Sequence, residues 1–233
     1  MDSRPLPPAP KKNSADLPAR IHRGIVIILM AMMAVELVLV FYEAQWINAF
    51  LVMAIMTVTL LPDVLGRRFR VHIPAEFQLL AVVFVFAALF LGEIQSYYVR
   101  FWWWDIALHT SSGLLMGILG FLLVYVLNES ENLDIHMRPH FVALFAFLFA
   151  VTVGTLWEIF EFAMDQVVGT NMQKPMLGDS SGLTDTMWDM IVNALGALTI
   201  SALGWWYMKR GECSFIEAWI RKFVERNPRL FRH

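Results

Sequence analysis

Trp157-Glu158-Ile159-Phe160-Glu161-Phe162-Ala163-Met164-Asp165 closes a long apolar run, Phe141 to Leu156, that has the character of a membrane crossing. Glu158, Glu161 and Asp165 stand at i, i+3 and i+7, so a helix carries all three on one face. Carboxylates near the end of a spanning helix are costly, and they normally face a bundle interior or a watery cavity. The stretch therefore predicts an all-α, polytopic membrane protein with an acidic site at one end of its helices.

Composition agrees. The chain has 233 residues, 58% hydrophobic and only 16% charged, with a mean hydropathy of +0.57. A soluble domain of this size carries more charge. The net charge of −2 conceals a strong segregation of signs. One cysteine, Cys213, excludes an internal disulfide framework and a cysteine-based zinc site. The basic residues flank apolar runs, so the sequence offers no nucleic-acid surface; the expected partner is the lipid bilayer.

Residues 1–20 hold five prolines and few apolar side chains, which predicts a disordered cytoplasmic tail. The apolar run that follows is too long for a cleaved signal peptide and lacks a small-residue cleavage site. Residues 21–210 then divide into six predicted crossings. They run from about Gly24 to Tyr42, Ile47 to Leu61, Ile73 to Leu91, Asp105 to Leu127, Pro139 to Asp165 and Thr186 to Met208. In residues 211–233, Ser214 and Glu217 match a capping box. Phe215, Ile216, Trp219, Ile220, Phe223 and Val224 then share one face, the pattern of an interfacial amphipathic helix; a soluble helix docked on loops is the alternative.

The cations set the orientation. Sixteen of the eighteen Lys and Arg residues fall in the two tails and in the loops after the second and fourth crossings; only Arg100 and Lys174 fall on the other side. The positive-inside bias places both termini in the cytoplasm. The acidic loop residues Glu129, Glu131 and Asp134 weaken one of these assignments.

With this topology the polar residues converge at the outer end. Glu158 lies 18 residues beyond His140, about 27 Å along a helix. Asp105 and His109 are i and i+4 at the outer start of the fourth crossing. Asp185, Asp189 and Asn193 repeat at i, i+4 and i+8 at the outer start of the sixth. Glu93 ends the third at the same level. Like carboxylates held close in a low dielectric cannot all stay ionised, so a proton or a cation must join them. The expected ligand set is Asp105, His109, Glu158, Glu161, Asp165, Asp185 and Asp189, with Glu93 and Asn193 beside it. An oxygen-rich set with one imidazole suits a hard divalent ion such as Mg²⁺, Ca²⁺ or Mn²⁺.

Plainer readings stand beside this one. Asp165, Asp179 and Asp185 fit solvated helix ends, and Asp105 and Asp185 fit helix N-terminal positions. His109 fits a helix–helix hydrogen bond, and the glycines fit close helix approach. Trp102 to Trp104, Trp205 and Trp206 fit interfacial belts. Glu36, mid-span in the first crossing, stands alone.

The same residues carry a family resemblance. Leu91-Gly92-Glu93, Trp103-Trp104-Asp105 with His109, Trp157-Glu158-x-x-Glu161-Phe162 and Asp185-x-x-x-Asp189-x-x-x-Asn193-x-x-Gly196 resemble the YjdF-type bacterial inner-membrane proteins. More distantly, His109, the Glu158 helix and the Asp189-Asn193-Gly196 helix are similar to the VanZ-like family. The resemblance implies a small multi-pass bundle in the bacterial plasma membrane and specifies no reaction. VanZ-like proteins are associated with teicoplanin resistance at the cell surface. Gly182-x-x-Asp185-x-x-x-Asp189 is faintly similar to part of the CDP-alcohol phosphotransferase motif, whose upstream Asp-x-x-Asp-Gly-x-x-Ala-Arg portion is absent.

Three functions follow as expectations. One is a membrane protein that binds a cation or cationic group at its outer end. The second is a metal-dependent enzyme acting on a lipid or lipid-linked phosphate in the outer leaflet, a lipid headgroup or cell-envelope lipid being the expected partner, with Glu158 or His109 as general base. The third is a structural or accessory subunit. The nearly apolar inner half of the last three crossings disfavours ion conduction.

Overall fold

A computed structural model describes residues 17–69, 75–128 and 137–210. The Pro-rich residues 1–16, the acidic loop at Glu129, Glu131 and Asp134, and the predicted interfacial helix at 211–233 lie outside the described residues. Those described are helical throughout, apart from turns and one antiparallel bridge between Met176 and Asp179. Helix α1 runs Leu17–Tyr42, α2 Trp46–Phe69 and α3 Ala75–Val85, followed by a π-helical stretch, Phe86–Ile94. The single turn α4 covers Tyr97–Arg100, and α5 Trp104–Asn128, α6 Pro139–Val167 and α7 Leu183–Arg210 follow. Leu17–Arg20, expected to end the tail, instead form the first turn of α1, where Pro18 is tolerated because the first amides need no intrahelical partner.

Among the described residues, five helices are long and apolar enough to cross a bilayer: Arg20–Tyr42, Glu76–Ile94, Trp104–Val124, Pro139–Val167 and Leu183–Arg210. The remaining predicted crossing, in α2, is helical, but its apolar part, Asn48–Leu61, is shorter. That part covers about 21 Å at ~1.5 Å per residue, against a hydrocarbon core of about 30 Å. Asp63, Arg67 and Arg68 interrupt the apolar pattern beyond it.

The chain divides into two compact units, Met1–Phe90 and Leu91–His233. In the first, α1, α2 and α3 pack on one another. Met33 and Val40 of α1, Ala49, Val52 and Ile55 of α2, and Val82 of α3 are buried. Ile27, Ile28, Val35 and Val38 of α1 are exposed, as suits a surface facing lipid.

In the second unit α5, α6 and α7 pack pairwise against one another. The buried face of α6 is Val142, Ala143, Ala146, Ala150, Gly154, Glu158 and Glu161, which follows the 3.6-residue period. The face is small-residued toward the start of the helix and acidic toward its end. On α7 the order is reversed: Asp185, Asp189 and Asn193 precede Gly196, Ala197, Ser201 and Gly204. The antiparallel run of α6 and α7 thus brings both acidic ends together. Small residues let the backbones come this close. A Cβ on Gly196 would strike the backbone carbonyl of Thr110 on α5, and one on Gly154 would strike the side-chain amide of Asn193.

Candidate functional site

The acidic ends meet on one imidazole. His109, one turn along α5 from Asp105, has Nε2 3.3 Å from Asp105 Oδ1 and 3.9 Å from Asp189 Oδ2. Its Nδ1 lies 3.5 Å from Glu158 Oε1. Carboxylates from α5, α6 and α7 therefore surround a single ring. Asp105, His109 and Asp189 each offer a ligand atom within 4.8 Å of the others.

These acids are deeply placed. Glu158 is 3% exposed and Asp189 1%. All four of their carboxylate oxygens are buried without a hydrogen-bond partner; the Thr186 hydroxyl is a nearby donor that acts on Glu158. The Asn193 Oδ1, also buried, lacks a donor, while its Nδ2 donates to the Ala150 carbonyl at 3.4 Å. Buried polar atoms are normally paired, so this concentration of bare oxygens needs a physical reason.

The other predicted residues are engaged locally. Glu161, 9% exposed, accepts a hydrogen bond from Trp157 Nε1 at 2.8 Å. Asp185, 2% exposed, accepts the backbone N–H of Lys174 at 2.6 Å. Asp165 accepts from the Thr170 hydroxyl and from the backbone N–H groups of Met172 and Gln173. Its oxygens hold the connection between α6 and α7 rather than joining the group on His109. Glu93, exposed, lies 3.4 Å from Lys174 Nζ.

That connection is itself built. Gln173 Nε2 donates to the Thr186 hydroxyl at 2.6 Å. Met176 and Asp179 exchange two backbone hydrogen bonds around Leu177 and Gly178, whose φ angles of 50° and 85° are both positive, the mark of a type I′ turn. Asp179 accepts from the N–H groups of Ser181 and Thr184 and from the Thr184 hydroxyl. Hydrogen bonds from the Ser181 hydroxyl first, then its N–H, then the Thr184 hydroxyl and N–H hold its carboxyl well below the usual carboxylate range. They also satisfy an amide in the first turn of α7 that has no intrahelical partner.

Sequence reasoning missed Tyr98, which lies on no helical period that points to this site, and Thr186, which stands three residues before Asp189 on α7; Lys174 is a cation that the charge distribution already put on the side of the acids. Tyr98 follows Ser96, whose left-handed backbone (φ 58°) turns the chain into α4. Its phenol is held well above the usual tyrosine range by burial first, then by Asp105, Glu93, Glu161 and Asp189.

A bundle of long apolar helices with its acids gathered at one end defines an integral membrane protein. The chain belongs to the family described as predicted membrane protein, DUF2238, whose model matches residues 21–210. It is also similar to an uncharacterized protein of Thermotoga maritima, 27% identical over 132 residues, covering 57% of this chain and 63% of that relative. The chain thus spans somewhat less than two thirds of that relative's length. No solved structure matches.

Proposed function

We propose that this is a multi-pass protein of the bacterial plasma membrane that binds a divalent cation between Asp105, His109 and Asp189 at its outward end. The observation that supports this most is the set of buried, unbonded oxygens of Glu158 and Asp189 around one imidazole. Without a counter-charge, such a group carries strong like-charge repulsion and a large desolvation cost. A cation relieves both.

The two ring nitrogens divide the work. Nε2 faces both aspartates, so its lone pair would complete a three-ligand set with them. Nδ1 faces Glu158, which would accept the N–H and fix the tautomer, the carboxylate–histidine–metal arrangement. Glu158 is then an orienting residue rather than a ligand. The oxygen-rich set suits Mg²⁺, Ca²⁺ or Mn²⁺, and the imidazole tilts the choice toward Mn²⁺. The orientation we infer keeps six crossings, with α2 as a short one and both termini in the cytoplasm. The YjdF-type resemblance fits the family match; the VanZ-like likeness rests on His109, Glu158, Asp189, Asn193 and Gly196.

A second reading, a metal-dependent hydrolase of lipid-linked phosphate, draws on one feature. Glu158 lies outside the three-ligand group, where a general base would stand. The test of the first reading is elemental analysis of the purified protein with thermal unfolding before and after chelation. We expect a retained divalent ion, a melting temperature several degrees lower after chelation, and neither effect in His109→Ala. Equal melting with no metal found would leave the acids a structural role. A changed headgroup class in the lipids of a deletion strain would favour the hydrolase.

A further inference from the structure

Residues 168–182 join α6 to α7 at the acidic end of the bundle, and three elements fasten them. Asp165, in the last turn of α6, accepts from Thr170, Met172 and Gln173. On the α7 side the Lys174 backbone N–H donates to Asp185 at 2.6 Å, and Gln173 Nε2 to the Thr186 hydroxyl. The third anchor is a side chain. Lys174 Nζ lies 3.4 Å from Glu93 Oε1 and 5.6 Å from the centroid of the Tyr98 ring, within cation–π range. Asp185 stands one helical turn from Asp189 on the same face of α7, so these bonds lie a turn away from the ion ligands. The segment is bounded by Gly169 and Gly182, whose φ angles of 76° and 80° favour glycine.

An ion cannot reach the ligands as they stand. Asp189 is 1% exposed, and the His109 and Asp105 side chains are 13% and 16% exposed. Helices α5 and α7 do not part cheaply, because Gly113 and Gly196 set their backbones in contact. The connection is held by polar bonds instead, and its third anchor is a part-exposed ion pair. Such pairs are individually weak, and segments fastened this way open locally at far lower cost than the whole fold.

We infer that residues 168–182 are a strap over the cation site and that the Lys174–Glu93 pair is its latch, released when the ion passes. This rests on the cation reading above. A latch of this kind sets the rate at which the ion exchanges more than the strength with which it is held.

The test is the rate of Mn²⁺ release from the full chain in detergent, read by stopped-flow tryptophan fluorescence on mixing with excess chelator. Trp157, hydrogen-bonded to Glu161, is a reporter beside the site. The proteins are wild type, Lys174→Met, Glu93→Gln and the double variant. A latch and a plain electrostatic field differ in sign here. Through the field alone, removing the Lys174 charge slows release of a cation and removing the Glu93 charge speeds it. Loss of a latch speeds release in both. We expect release about threefold faster in Glu93→Gln, the scale of a part-exposed ion pair. In Lys174→Met, which also loses the ring contact, it should be on the order of tenfold faster. Association should quicken alongside release, and the double variant should match Lys174→Met, since the two residues act as one pair. Slower release in Lys174→Met, unchanged release in both single variants, or additive effects in the double variant would overturn the latch while leaving the cation reading intact. A fall of many degrees in the melting temperature of Glu93→Gln in chelator would overturn it as a general loosening. Absence of Mn²⁺ binding by wild type would remove the cation reading and this one with it.

Discussion

At the scale of single residues, Asp189 carries the sharpest consequence. It is 1% exposed, its oxygens are unbonded, and it faces His109 Nε2. Replacing a buried carboxylate that shares one imidazole with two other acids by a neutral group of the same shape removes repulsion and desolvation together. Asp189→Asn should therefore stabilise the metal-free protein by about 1 to 3 kcal/mol, while abolishing the stabilisation that added Mn²⁺ gives wild type. Thermal unfolding in chelator and in Mn²⁺ reads both signs; a variant less stable in both would show that the carboxylate holds helices together instead. The residues that form this group were legible in the sequence because helical spacing put Asp105 with His109, and Asp185 with Asp189 and Asn193, on shared faces. Their division of labour was not. Asp165 and Asp185 satisfy backbone amides of the connection between α6 and α7, and no period in the sequence encodes where that connection folds.

At the scale of elements, the close packing of α5, α6 and α7 sets a contrast between two glycines. A Cβ on Gly196 meets the backbone of Thr110, which cannot step aside, whereas one on Gly117 meets the Cγ2 end of Ile200. Gly196→Ala should force α5 and α7 apart, costing about 1 to 3 kcal/mol by overpacking and weakening Mn²⁺ binding, since His109 and Asp189 ride on those helices. Gly117→Ala should cost less in stability and leave binding near wild type. Calorimetry and melting of the two variants compare them directly; the reverse order would contradict this account of the packing. Helix placement was read well from apolar runs, and α5, α6 and α7 begin and end within a few residues of expectation. The start of α1 and the reach of α2 were not, because Pro18 looks like tail and the apolar part of α2 stops at Leu61 while the helix continues to Phe69.

At the scale of the whole molecule, the distribution of cations makes sidedness testable. The orientation proposed above puts sixteen of the eighteen Lys and Arg residues, and both tails, on the cytoplasmic side. Cys213 lies just past α7, so a membrane-impermeant thiol reagent added to intact cells should leave it unlabelled and label it after permeabilisation. Labelling in intact cells would invert the bundle and put the acidic end on the cytoplasmic side.

The tight turn between Met176 and Asp179 has a practical corollary. Leu177 is 82% exposed, and a side chain added at Gly178 would meet nothing within 4 Å. The tip projects beyond the stitched base of its loop, so a short antibody tag spliced there would hang free of the helices. It would report, in living cells, which compartment the acids open into, independently of any cysteine chemistry.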